Sequence, residues 1–158
     1  MDKFSAEKRS EIMSRVKGKD TKPEELVRKY LFSKGFRYRK NDRRYPGKPD
    51  IVLPKYHTVI FVNGCFWHQH ENCKSATIPV SNSAYWKEKL QRNIDRDRQT
   101  RRQLESDGWH VVVLWECEIS SRQKRQARLE LLVEEIRIIG SIDDLERHKE
   151  KTCQKIYI

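Results

Sequence analysis

The chain has 158 residues, enough for one domain with a real core and too few for two comfortable ones. Apolar and charged residues each make up 36%, and 34 Lys and Arg against 23 Asp and Glu leave a formal charge of +11. That surplus favours a polyanionic partner, because each neutralised phosphate releases condensed counterions, although a merely soluble basic protein carries the same signature. No apolar run approaches the roughly 20 residues that span a bilayer, and the charged start MDKFSAEKRSEI lacks the apolar segment of a signal peptide. The expectation is a cytoplasmic protein without membrane contact. In that compartment cysteines bind metal or do chemistry more often than they form disulfides, and there are four: Cys65, Cys73, Cys117 and Cys153.

Residues 5–16 have helical character, with Ile12, Met13 and Val16 roughly on one side, and Gly18 interrupts them. TKPE at 21–24 is a clearer start: Thr21 can cap, Pro23 suits the first turn and Glu24 sits at capping-box distance. Leu26, Val27, Tyr30 and Leu31 follow at core spacing, and Gly35 ends the helix. FRYRK at 36–40 alternates like a half-buried strand, and RRYPGKP is a turn. DIVLP at 50–54 and HTVIFVN at 57–63 are β-branched runs joined by PKY, which predicts a hairpin. A polar, basic helix is expected over about 83–106 and a strand over WHVVVLW at 109–115. A last helix carries Leu129, Leu132, Val133 and Ile136 on one stripe. Residues 141–158 are left unassigned, and Cys153 among them is taken as a free thiol. The order α, α, β, β, β, α, β, α predicts a mixed sheet with helices packed on it.

Between the third strand and the basic helix lies NGCFWHQHENC. Cys65, His70 and Cys73 offer two thiolates and an imidazole from one loop, and Cys117 ends the WHVVVLWEC strand. This is a ligand set that Zn²⁺ prefers, and four such groups close a structural tetrahedron. The alternative is a group of buried free cysteines. Asp50, just after Pro49, is an acid at the start of a buried strand. Beside a carbonyl of the neighbouring strand it could hold Mg²⁺ against a phosphate, whereas most Pro-Asp pairs only bend the chain. Glu24, at face value a capping residue, could also reach such a site. His68 lies outside the thiolate set and is a candidate general base or acid. Asp97 shares a helical stripe with Trp86, Leu90 and Ile94. A histidine partner explains a carboxylate there, and so does an ion pair with Arg96, Arg98 or Arg101. Phe66, Trp67 and Trp86 are candidates to wedge between base pairs, or are ordinary core residues. Met13 and Val16 could press on DNA from another side.

The sequence DTKPE, PGKPDIVL, VIFVNGCFWHQHENC, YWKEKLQRNIDRDRQ and GWHVVVLWEC, in that order over roughly residues 8–135, resembles the very-short-patch-repair mismatch endonucleases. The resemblance implies one PD-(D/E)xK restriction-endonuclease-like nuclease domain over residues 1–158. Residues 1–18 are then a DNA-contacting arm, 19–140 the catalytic core and 141–158 a tail. It implies a nick 5′ of the thymine of a T:G mismatch that arises from 5-methylcytosine deamination. Asp50 is then the principal Mg²⁺ ligand with the carbonyl of Val62, His68 the general base paired with Asp97, and Glu24 a support. Structural Zn²⁺ falls to Cys65, His70, Cys73 and Cys117. Phe66, Trp67 and Trp86, with Met13 and Val16, fall to DNA. Asn63 stands where many members carry histidine, and an amide cannot exchange a proton near neutral pH. The partner implied is double-stranded DNA, bound by a monomer, with repair proteins as further candidates. The rival readings are a mismatch-independent restriction-type or nicking endonuclease and a zinc-stabilised DNA-binding module without catalysis.

Overall fold

The computed structural model describes the backbone of residues 4–156 and the side chains of residues 4–151. Cys153 and its expected free thiol lie outside the described side chains. Four helices and four strands appear in the expected order: α1 Ala6–Ser14, α2 Lys22–Ser33, β1 Arg39–Lys40, β2 Ile51–Leu53, β3 Thr58–Asn63, α3 Ser83–Ser106, β4 His110–Trp115 and α4 Arg122–Ile156. The sheet runs β1-β2-β3-β4, with β1/β2 and β2/β3 antiparallel and β3/β4 parallel. A tight connection of Pro54–Tyr56, closed by left-handed His57, makes the β2/β3 hairpin. Helix α3 supplies the crossover that a parallel pair requires.

Alternation sorts the strand residues between two layers. Ile51, Leu53, Ile60, Val112 and Leu114 face the core built with Val27 and Leu31 of α2 and Leu129, Leu132, Val133 and Ile136 of α4. Val52 and Val59 face the other side, where Leu104 of α3, Phe61 and Trp109 pack. Helix α4 meets the β2/β3 connection closely at Gly140, where an added Cβ would stand 2.7 Å from the Tyr56 ring. Among the described residues no helix is long and apolar enough to cross a membrane.

Three expectations change. Leu26 is 39% exposed, because the buried face of α2 is Glu24, Val27, Arg28 and Leu31, and Leu26 points away from it. The FRYRK strand shrinks to Arg39–Lys40, paired with Val52 and Ile51; in this register Arg37 falls opposite Pro54, where the chain turns, so the ladder cannot extend toward Phe36. Phe36 is still buried, and Tyr38 still packs on the core. The unassigned segment after residue 140 continues α4 as far as Ile156.

Candidate active site and thiolate cluster

Antiparallel pairing places the start of β2 opposite the end of β3. Ile51 is in register with Ile60, so Asp50 falls beside Phe61 and Val62. The Val62 N–H donates to Asp50 Oδ2 at 2.7 Å. In an extended strand the N–H and C=O of one residue share an edge, so the Val62 carbonyl is turned toward the same carboxylate. Burial pushes the Asp50 carboxyl up to about 6, against the pull of the Val62 N–H, with Glu24 adding repulsion and Arg28 and His68 opposing it. A buried carboxylate in that state lacks compensating positive charge.

Glu24 lies close by but is fully engaged. Its Oε2 accepts from the Asp20 N–H at 2.8 Å and from Arg28 Nη2 at 3.0 Å, and its Oε1 from the Thr21 hydroxyl at 3.0 Å. Thr21 caps α2 by accepting from the Glu24 N–H. In place of a return bond to the cap residue's own N–H, the carboxylate takes that of Asp20, one residue earlier.

The loop after β3 folds tightly on itself. His68 N–H donates to Gly64 O and His70 N–H to Cys65 O, while Gln69 and Asn72 adopt left-handed backbone. Gln69 Nε2 ties the loop to Phe66 O at 2.7 Å and Ala76 O at 3.2 Å. The inner stripe of α3 closes over it: Asn93 Nδ2 donates to Trp67 O at 3.0 Å, and one turn on Asp97 Oδ2 meets His68 Nδ1 at 2.6 Å. Among the described residues Asp97 forms no ion pair with Arg96, Arg98 or Arg101. Arg96 donates to Asn93, and Arg101 pairs with Glu105.

Cys65, His70, Cys73 and Cys117 converge, with one ligating atom of each inside a 4.8 Å span. Cys65 Sγ and Cys117 Sγ lie 3.7 and 3.3 Å from His70 Nδ1. Burial pushes the Cys65 thiol up to about 12 and raises Cys117, while the Ser75 N–H lowers Cys73. Crowded thiols of this kind cannot all ionise without a cation, and thiolate with imidazole is the donor set of a closed tetrahedral metal site. The His70 ring stacks on Trp115 at 4.2 Å and 6°.

Phe66, Trp67 and Trp86 form one aromatic cluster, with centroids 5.2 to 6.0 Å apart. Phe66 and Trp67 are half-buried. Trp86, by sequence either a wedge or a core residue, is only 8% exposed, because it belongs to the buried stripe of α3 with Leu90. The ring presented to solvent is Tyr85 at 53%, and Lys89 Nζ lies 5.5 to 5.6 Å over Trp67, Trp86 and Tyr85. Helix α1 buries none of its residues.

Two clefts of about 1120 and 1040 Å³ meet at His68 and Asn63. Asp97 lines the first; Asp50, Val62, Glu24, Trp67 and Val16 line the second. Met13 lines neither. Arg43, Lys48 and Arg96 border both, so the junction is basic, as an anionic ligand requires.

Sequence reasoning overlooked Arg28, Lys89, Asn93 and Trp115. Arg28 carried a visible signal, a guanidinium four residues after Glu24 on an otherwise apolar helical face. Trp115, two residues before a ligating cysteine, carried a weaker one.

An acid and an acid-held histidine at a basic cleft are groups that hydrolysis of a phosphodiester can use. Comparison with known proteins agrees and places the chain among the DNA endonucleases. A family model for DNA mismatch endonuclease Vsr matches residues 1–75. A type II nicking enzyme of Neisseria meningitidis, V.NmeAIP, is 52% identical over 136 residues, covering 86% of this chain and 96% of that one. V.XorIIP of Xanthomonas oryzae, also a type II nicking enzyme, is 42% identical over 81% of this chain and 93% of its own. The DNA mismatch endonuclease Vsr of Escherichia coli K12 is 37% identical over 73% of this chain and 74% of its own. The chain belongs to the Vsr family of endonucleases.

Proposed function

We propose that this protein nicks one strand of double-stranded DNA on the 5′ side of the thymine in a T:G mismatch, by Mg²⁺-dependent phosphodiester hydrolysis. The observation that carries the reading is the pairing of His68 with Asp97 at a cleft that also contains Asp50. Asp50, with the Val62 carbonyl, would hold the Mg²⁺, a hard cation suited to oxygen ligands and to a buried carboxylate lacking positive compensation. When bound there, the ion supplies charge neutralisation on the phosphate and activation of water. The acid at the head of β2, facing the end of β3, supports reading the sheet as a PD-(D/E)xK-like core.

His68 is the general base. Its Nδ1–H is donated to Asp97, which leaves the Nε2 lone pair to accept the proton of the attacking water. Asn63 contributes no proton transfer; its amide binds a phosphate oxygen or water. Glu24, saturated by Arg28, Thr21 and Asp20, supports the site from outside the ligand set. Cys65, His70, Cys73 and Cys117 would hold Zn²⁺ as a closed structural site and so keep the loop rigid. Phe66 and Trp67 then press into the base stack from a fixed platform whose floor is Trp86, and Met13 and Val16 contact the duplex from the arm.

A second reading is a nicking endonuclease indifferent to the mismatch, favoured by the type II nicking enzymes among the relatives. Membership in an endonuclease family displaces the non-catalytic DNA-binding module. A nicking assay with Mg²⁺ on T:G and matched duplexes of varied flanking sequence separates the two. Selective nicking of T:G duplexes supports the first reading, equal nicking supports the second, and no nicking of any duplex removes both.

A further inference from the structure

Among the described residues Arg28 is the only buried cation, with a side chain 6% exposed. Its guanidinium reaches four acceptors. Nη1 donates to Asp20 Oδ1 at 2.8 Å, and Nη2 to Glu24 Oε2 at 3.0 Å, Asn41 Oδ1 at 3.3 Å and the main-chain oxygen of Asp50 at 3.2 Å. Asn41 reinforces both ends: its N–H donates to the same Asp50 oxygen at 3.4 Å, and its amide to Asp20 Oδ1 at 3.1 Å. Asp50 is thus pinned twice, through its carbonyl from the α2 side and through its carboxylate by Val62.

The arrangement is not explained by stability. Burying a guanidinium is expensive, its Nε is buried without a partner, and well-packed apolar residues often replace such networks at no loss. What the charge accomplishes is local. It fixes the peptide that carries Asp50 and occupies the Glu24 carboxylate.

We propose that Arg28 is a positioning residue for the divalent cation at Asp50, pinning the Asp50 main chain while holding the Glu24 carboxylate out of the ion's coordination sphere. The inference rests on the assignment of Asp50 as the cation ligand. Mg²⁺ demands near-ideal octahedral geometry, so it is more sensitive than Mn²⁺ to a displaced ligand. Only a planar fork reaches several acceptors at once, so lysine does not substitute.

The test compares the zinc-loaded wild type with Arg28→Lys, Arg28→Met and the double variant Arg28→Met/Glu24→Gln. The double variant neutralises both members of the buried pair, so that no buried Glu24 charge is left without Arg28. Mn²⁺ binding is read from the electron paramagnetic resonance of the free ion, Mg²⁺ binding by competition, and nicking in each metal. We expect Mg²⁺ affinity to fall at least tenfold in all three variants and Mn²⁺ affinity less than threefold, with nicking following the same split. Unchanged affinities, or equal losses for both ions, overturn the role of Arg28. A wild type that binds both ions and nicks no DNA overturns the endonuclease mechanism and leaves the ion-positioning role standing.

Discussion

His68 Nδ1 and Asp97 Oδ2 lie 2.6 Å apart, although one belongs to the loop after β3 and the other to the middle of α3. The bond fixes which ring nitrogen carries the proton and which remains free, so a neutral amide in place of the carboxylate disturbs the tautomer without emptying the space. Asp97→Asn should therefore lower the single-turnover nicking rate by roughly 10²-fold or more and leave duplex affinity within about twofold. Rapid-quench kinetics beside a filter-binding titration checks both. An unchanged rate would mean that the contact only braces the loop.

Asp50 combines burial with a carboxyl held up at about 6, against an ordinary value of 3.8. The folded state therefore prefers the protonated acid. Its favourable contribution is complete below pH 3.8 and is lost as the pH rises through about 6. At pH 7.5 without Mg²⁺ the ionised group destabilises the fold, and Asp50→Asn removes that cost while keeping an acceptor for Val62. The variant should be more stable than wild type by on the order of 1 kcal/mol at pH 7.5, equal to it near pH 4, and inactive. Denaturant melts at the two pH values, in magnesium-free buffer, decide it.

The four converging ligands predict metal-dependent folding of the loop. Purified protein should contain about one zinc per chain. Cys117→Ser should lose it, together with nicking and at least about 10 °C of thermal stability. Metal analysis and a thermal melt provide the readout, and a zinc-free protein with an unchanged melt would show that the cysteines are merely packed.

The aromatic cluster divides into a floor and an edge. Trp86→Ala opens a cavity in a buried stripe and should cost about 3–5 kcal/mol. Trp67→Ala should cost under about 1 kcal/mol and instead narrow the rate ratio between T:G and matched duplexes. Urea unfolding of both variants, beside nicking of both duplexes, tests the division. Equal destabilisation with an unchanged ratio would assign both rings to packing.

Element order was legible because it depends on local signals: the cap at Thr21, the turn at Pro46–Gly47, the β-branched runs around PKY, and the apolar stripe of α4. Asp97 was legible as an anomaly, a carboxylate on a buried stripe, and the loop histidine explains it. What escaped notice depends on three-dimensional neighbours. Trp86 fits a wedge and a floor equally well in sequence, and only the closure of α3 over the loop chooses. Arg28 is visible in sequence as a charge on an apolar face paired with Glu24, but its tie to the site appears only when Asn41 and Asp50 are brought against it from residues far along the chain. The ladder of β1 is bounded by the turn that Pro54 makes just past its partner strand, opposite Arg37, which no property of FRYRK itself reveals.

His68 stands three residues after Cys65 and two before His70, inside the stretch that both convergent ligands bracket. An insertion or deletion there would shift the histidine away from Asp97 and spoil the cluster in the same event. Phe66 and Trp67 can be exchanged for other residues, but the number of residues from Cys65 to His70 cannot change. On the proposed roles, a change of length in this loop is tolerated only outside the Cys65–His70 stretch.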